Sequence, residues 1–265
     1  MRAVDCHAHV FSRECQPVQG ARYRPGYDAL VQDWMALWPH AQVGRGVLVQ
    51  PSFLGTDNGY LLRQLGAHRE RLRGVAVIAP GVARTELLAW SAMGVCGIRL
   101  NLIGKDELGV YALADWQSLF RNIADLGWHV EIQCEGERVT CFLAALGSAP
   151  PALVFDHFGL PDPNAGGDCP GMSAIVREAE KRTVFVKLSA PYRMRGADAR
   201  SYAGRYLAEL GPERLLWGSD WPWTNHEADG AYKACGEWLE SWIPSAAARK
   251  AIMWDTPSAL YQFDA

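Results

Sequence analysis

His7 and His9 stand two residues apart at the end of the first apolar run, in Asp5-Cys6-His7-Ala8-His9. Residues Arg2 to Val10 read as a strand, and on a strand residues two apart point to one face. Two imidazoles leaving one face at a strand's C-terminal end can grip a metal, orient a substrate carbonyl or shuttle a proton. Core packing asks for no such pair. Three other stretches also end a short β-type run with a titratable or charged group. They are Gly97-Ile98-Arg99-Leu100-Asn101, Phe155-Asp156-His157-Phe158-Gly159 and Trp217-Gly218-Ser219-Asp220-Trp221-Pro222. In a parallel α/β barrel, catalytic residues collect at the C-terminal ends of strands. One site assembled from distant parts of the chain is therefore expected.

The elements that must position these groups alternate. Strand-type runs are Ala3–Val10, Val43–Gln50, Leu72–Ile78, Val95–Leu100, Trp128–Gln133, Ala152–Asp156, Val184–Leu188 and Leu215–Gly218. Helical spacing separates them: Tyr27–Trp38, Asn58–Arg71, Arg84–Met93, Asp115–Leu126, Val139–Leu146, Met172–Lys181 and Asp198–Leu210. Gly94 and Gly127 are placed to end helices, and Pro150-Pro151 breaks the chain before the sixth strand. Ala231–Trp242 and Ala246–Trp254 read as terminal helices. Eight alternating units in 265 residues predict a single-domain (β/α)8 TIM barrel over residues 1–265. No GxGxxG follows the first strand, so a dinucleotide fold lacks its main support. The Pro- and Gly-rich loops after strands one, six and eight are natural pocket walls.

Such a barrel brings His7, His9, Arg99, Gln133, His157 and Asp220 to one rim. Asp220 can act as general base on a water held by an imidazole or a metal. His7, His9 and His157, with Asp220, offer three nitrogens and a carboxylate, which suits one zinc or similar ion with an open position. The same imidazoles can instead hydrogen-bond a carbonyl directly, with no cofactor required. Arg99 and Arg193 present planar forks for carboxylates, so two arginines at one mouth imply an anionic substrate. A surface ion pair is the plainer use of each. Asp156 either orients an imidazole or caps the strand. His40 and His68 fall at helix ends, His129 is expected on the outer side of its strand, and His226 lies in a loop. Trp221 and Trp223 follow Asp220 and could wall a pocket.

Composition narrows the partners. The net charge of −3, from 26 basic and 29 acidic residues, gives no steering toward nucleic acid. No apolar run approaches the ~18 residues of a membrane span, and the N-terminus does not read as a signal peptide, so a cytoplasmic protein with no membrane partner is expected. Seven cysteines, an odd number without a CxxC, argue against a disulfide framework or a finger-type zinc site. Cys6 and Cys134 lie near the expected site, with no partner base indicated. Tryptophans on the last helices could serve a homo-oligomer interface or simply pack inside.

The motifs quoted above, with Val49-Gln50-Pro51-Ser52 and Gly55-Thr56-Asp57-Asn58, resemble the amidohydrolase superfamily. More narrowly they resemble its lactonase branch (pyrone dicarboxylate and sugar lactonases), in order across almost the whole chain. The resemblance implies a (β/α)8 barrel that opens a small anionic lactone such as 2-pyrone-4,6-dicarboxylate. It gives carbonyl polarisation to His7, His9 and His157, and water activation and proton transfer to Asp220. Arg99 and Arg193 would hold substrate carboxylates, with Asn101, Ser52, Tyr23, Gln133 and Trp221 as further contacts. Two departures stand out. Arg99 and Asn101 occupy the place of a bridging lysine or glutamate, and Gln133 that of a histidine, so a binuclear centre is not expected. Gln133 also stands where the pyrone lactonases carry a substrate-binding tyrosine. The alternatives are a mononuclear metal-dependent decarboxylase or hydrolase of the same superfamily, and a non-enzymatic barrel that binds a small anion.

Overall fold

Eight parallel strands follow one another in sequence order around one sheet: β1 Ala3–Ala8, β2 Val43–Val49, β3 Leu72–Ala76, β4 Val95–Asn101, β5 His129–Gln133, β6 Ala152–Phe155, β7 Val184–Leu188 and β8 Leu215–Trp217. The computed structural model describes residues 3–148, 151–165 and 169–263, so Arg2 and Pro150 lie outside the described residues. An Ala8–Trp221 bridge joins the ends of the sheet. His9 N–H donates to Trp221 C=O at 2.7 Å, and Asp220 N–H to His7 C=O at 2.8 Å, across the same seam. The result is the expected (β/α)8 barrel.

The helices α1 Val31–Leu37, α2 Gly59–Ala67, α3 Arg84–Met93, α4 Ala114–Asp125, α5 Val139–Leu146, α6 Pro170–Ala179 and α7 Ala199–Leu210 fill the connections. α8 Tyr232–Trp242, α9 Ala246–Lys250 and α10 Thr256–Leu260 follow β8. α1 starts later than the spacing suggested, because Ala29 is held extended by paired hydrogen bonds to Phe11. α3 ends at Gly94, whose φ of +106° a side chain would resist. Among the described residues no helix is long and apolar enough to cross a membrane.

The barrel interior has two layers. Toward the N-terminal ends of the strands, Val4, Val47, Val75, Val154 and Leu216 pack against Tyr261 and Phe263, so the chain's C-terminal segment plugs this end. Arg73 Nε ties that plug down by donating to Tyr261 C=O at 3.1 Å. Above the plug lies a layer of buried charge. Strand alternation puts His129, Glu131 and Gln133 of β5 on one face, beside Gly97, Arg99 and Asn101 of β4. His129 therefore faces inward, not outward as expected. A Cβ at Gly97 would stand 2.5 Å from the His129 ring, so glycine there makes room for it. Of the tryptophans on the last helices, Trp242 is buried and stacks on Trp238.

Candidate active site

A slip in register builds the histidine pair. Between Asp5 and Ala8, β1 uses three steps against two on β2, pairing Asp5 with Gly46 and Ala8 with Leu48. Such a bulge re-aims side chains. Asp5 turns outward, accepting from Trp34 Nε1, Tyr232 Oη and both the N–H and hydroxyl of Ser219, at 2.6–3.0 Å. It thereby braces β1, α1, α8 and the β8 loop, although burial pushes its pKa up. His7 and His9 turn inward. A Cβ at Gly218 would stand 2.6 Å from the His7 Cβ, so glycine lets the two strand ends meet.

Four atoms converge above the barrel. Asp220 Oδ1 lies 3.6, 3.7 and 3.8 Å from the Nε2 atoms of His7, His9 and His157. The His7 and His9 Nε2 atoms are 3.3 Å apart. His157 and Asp220 hold positive φ, +51° and +58°. That conformation costs about 1–2 kcal/mol for a side-chain-bearing residue and concentrates at functional sites. The other side of each group is fixed. His9 Nδ1 lies 2.7 Å from Val49 C=O, and a carbonyl only accepts, so the neutral ring presents a lone pair at Nε2. His157 Nδ1 meets Ser189 Oγ at 2.9 Å. Asp220 Oδ2 accepts from Tyr192 Oη and Arg193 Nε, each at 2.7 Å.

Beneath them lies an ion-pair layer. Arg99 pairs with Asp156 at 3.3 Å, and the Lys187 ammonium contacts Glu131 and, at 3.4 Å, Asp156. His7 Nδ1 stands 3.2 Å from both Asp156 Oδ1 and Lys187 Nζ. Burial would raise the pKa of Asp156, Glu131 and Asp220, but the neighbouring Lys187, Arg99 and Arg193 cations hold all three below the usual carboxylate range. Burial pushes His157 down to about 4 and His7 well below its ordinary value. At neutral pH the carboxylates are charged and these two imidazoles are not.

A cavity of about 410 Å³ opens above this set, lined by His9, His157, Arg193 and Asp220 on one side. Tyr23, Ser52, Arg99, Asn101 and Gln133 line the rest of it. A profile of the amidohydrolase family (Amidohydro_2) matches residues 4–263. The chain belongs to that family. It is 28% identical to a 2-pyrone-4,6-dicarboxylate hydrolase of Comamonas testosteroni, over 98% of this chain and 90% of the relative. A candidate 2-pyrone-4,6-dicarboxylic acid hydrolase from Pseudomonas putida superposes with a TM-score of 0.91 at 38% identity, covering 100% of this chain and 98% of the other. Another, from Acinetobacter baumannii with citric acid bound, gives 0.93 at 32%, covering 99% and 100%.

Several expected residues of this amidohydrolase sit elsewhere or are already engaged. Trp221 is buried in the apolar core and does not line the cavity, because its backbone bridges β1. Trp223 likewise lines no part of it. Arg193 is bound to Asp220 and, at 3.0 Å, to Thr224 C=O, so it is not a free carboxylate clamp. Asp156 orients His7 rather than capping a strand. The Cys6 thiol is fully buried and pushed up by burial, and Cys134 is pushed up to about 12, so neither is poised as a nucleophile. Sequence reasoning missed Lys187, Glu131 and Tyr192, and passed over His226, which lines the cavity against the Tyr192 ring. A charged residue inside an apolar strand run, as in Val184-Phe185-Val186-Lys187-Leu188, was the available signal.

The residues fit one divalent ion. Donors held at 2.0–2.1 Å around a tetrahedral ion stand about 3.3–3.4 Å from each other. Asp220 Oδ1 stands 3.6–3.8 Å from each Nε2 and the His7–His9 pair is 3.3 Å apart, close to that, and the compact donor set comprises His7, His157 and Asp220, all within 4.8 Å of one another. His157 Nε2 and Asp220 Oδ1 are buried with no hydrogen-bond partner, as open ligand atoms would be. A second cluster, His7, Glu131 and Asp156, is also compact, but the Lys187 ammonium already sits among its donors.

Proposed function

We propose that the protein hydrolyses an anionic lactone of the 2-pyrone-4,6-dicarboxylate type. The observation that carries this reading is the convergence of three imidazoles on the free oxygen of an ionised, buried carboxylate at the floor of a polar cavity. The relatives above are named as hydrolases of that lactone.

In this reading the ester carbonyl lies against the imidazoles and a water lies against Asp220 Oδ1. Asp220 takes a proton from the water as its oxygen bonds to the carbonyl carbon. His157, whose Nδ1 can accept from the Ser189 hydroxyl and leave a hydrogen on Nε2, faces the oxyanion that develops as a donor, whereas His9 presents only a lone pair there. When the ring ester bond breaks, Asp220 returns the proton to the leaving oxygen, giving a ring-opened acid. Arg193 and Tyr192 hold Oδ2, so only Oδ1 is free to move the proton. His9, with a lone pair at Nε2, either accepts from His7 Nε2–H or ligates an ion. A divalent ion (zinc is the favoured candidate) bound by His7, His9, His157 and Asp220 would polarise the carbonyl and acidify the water. We further assign the chain to the cytoplasm.

The test is hydrolysis of 2-pyrone-4,6-dicarboxylate by protein assayed for metal, with and without chelator, alongside Asp220→Asn. Loss of a positioned acid–base group costs about 10²–10⁴-fold, and the fall in Asp220→Asn should reach the upper part of that range in kcat. Turnover surviving chelation assigns the polarising role to the imidazoles alone. No turnover by any lactone carboxylate, or undiminished turnover by Asp220→Asn, rejects the reading.

A further inference from the structure

His7 Nδ1 stands between a hydrogen-bond donor and an acceptor at equal range. The Lys187 ammonium approaches it to 3.2 Å, and so does Asp156 Oδ1. Both groups are fully buried, as is the ring. An ammonium only donates, and an ionised carboxylate only accepts. A neutral imidazole carries one hydrogen, so Nδ1 satisfies one of these neighbours at a time. Facing Lys187, Nδ1 offers its lone pair and the hydrogen sits on Nε2. Facing Asp156, Nδ1 carries the hydrogen and Nε2 offers the lone pair.

The far side of the ring separates the two forms. His7 Nε2 lies 3.3 Å from His9 Nε2, which presents a lone pair because His9 Nδ1 donates to Val49 C=O. With its hydrogen on Nε2, His7 donates to His9. With its hydrogen on Nδ1, two lone pairs face each other, a repulsion that a cation beside them relieves. Acceptors for this second form are in place. Asp156 Oδ1 and Glu131 Oε1, 3.2 and 3.6 Å from Nδ1, are buried and accept no hydrogen bond among the described residues. Lys187 keeps its ion pairs with Glu131 and Asp156 in either form.

We propose that Lys187 and Asp156 select the tautomer of His7, and through it decide whether the site takes a divalent ion. Both are positioning residues that act through His7. The Lys187 form closes the His7–His9 pair against an ion. The Asp156 form frees His7 Nε2 as a ligand beside His157 and Asp220. The hydrogen moves between the two nitrogens of one ring, and no group changes charge. This deepens the lactonase reading and rests on its placing of an ion at His7.

The experiment uses metal-depleted protein with isotope-labelled histidine, to which zinc is added. Long-range proton–nitrogen correlation spectra should show the His7 hydrogen on Nε2 before zinc and on Nδ1 after it. The charge-balanced double variant Glu131→Gln/Lys187→Met removes the donor together with its carboxylate partner, a replacement that buried ion pairs often tolerate. It should carry the hydrogen on Nδ1 without zinc. By calorimetry it should bind zinc about tenfold more tightly, because the closed form no longer competes. Asp156→Asn should bind zinc about 10–100-fold more weakly, the usual effect of losing the carboxylate behind a ligating imidazole. A merely structural role for Lys187 predicts weaker zinc binding in the double variant. The parent protein decides the matter even if the variants do not fold. A His7 hydrogen on Nδ1 before zinc, a tautomer unchanged at zinc saturation, or no zinc binding overturns the proposal. Failure of the lactonase reading looks different: wild type opens no lactone, while the tautomer still follows zinc.

Discussion

Two walls of the same cavity are held in opposite ways. The wall from β1, β6 and β8 carries His7, His9, His157 and Asp220, and every one of these is fixed from behind: the first three by the buried Asp156 and Lys187, Val49 C=O and Ser189, and Asp220 by the partly buried Tyr192 and Arg193. The wall from β4 and β5 is tied together by neutral amides. Gln133 Oε1 accepts from Arg99 Nη2 and Asn101 Nδ2, each at 2.8 Å, and Asn101 in turn accepts from the exposed Arg22. Buried ion pairs are costly to break, whereas amide contacts at a half-exposed rim are not. The first wall is therefore built for one geometry, and the second can change without loss of the fold. Chemistry belongs to the first and selectivity to the second.

The comparison can be broken most severely at Lys187. This ammonium, fully buried, balances Glu131 and Asp156 beneath His7. Removing one partner of a buried pair typically costs about 3–5 kcal/mol, because the other charge stays behind. Lys187→Met should lose that much in urea denaturation at neutral pH. A loss under 1 kcal/mol would mean that the ion-pair layer does not hold the catalytic wall.

Acid gives the next largest effect. His157 has its pKa pushed down to about 4 by burial, and His7 is lowered well below its ordinary value. The unfolded chain binds protons at these histidines from about pH 6.5 downward, while the folded chain resists them. Stability is therefore intact above pH 6.5 and lost as pH falls toward 4. For His157 alone the loss is on the order of 3 kcal/mol across that window. Denaturation of metal-depleted protein at pH 7 and pH 4.5 measures it, and His157→Gln should flatten the slope. A stability that is flat over this range in the parent protein contradicts neutral, buried imidazoles.

What was legible in the sequence follows the same division. The His7–His9 pair and Asp220 announce themselves through local spacing at strand ends, and local spacing is what a single chain displays. The barrel was legible because eight apolar runs alternate with helical ones. Partners were not. Lys187 and Glu131 are 56 residues apart, and only closure of the ring makes them neighbours. Arg193 was recognised by type, but its charge is consumed by Asp220, a fact no motif carries. His129 was assigned to the wrong face even though it shares alternation with Gln133, which was placed correctly at the rim; applying the two-residue period down the whole strand would have turned it inward.

Gln133 offers the mildest test, and the one that separates the walls most cleanly. Its amide oxygen gathers the Arg99 and Asn101 side chains, so Gln133→Leu removes two accepted bonds without touching Asp220 or the histidines. Arg99 keeps Asp156 and the Gln50 carbonyl, so the fold should lose only about 1–2 kcal/mol. The amide relay toward Arg22 would be cut, and KM for a lactone diacid should rise by about 3–10-fold, with kcat within about threefold of the parent. Steady-state kinetics on the variant decides the matter. A kcat reduced a hundredfold at unchanged KM would show that the amide wall participates in the chemical step, and the division of labour between the two walls would fall.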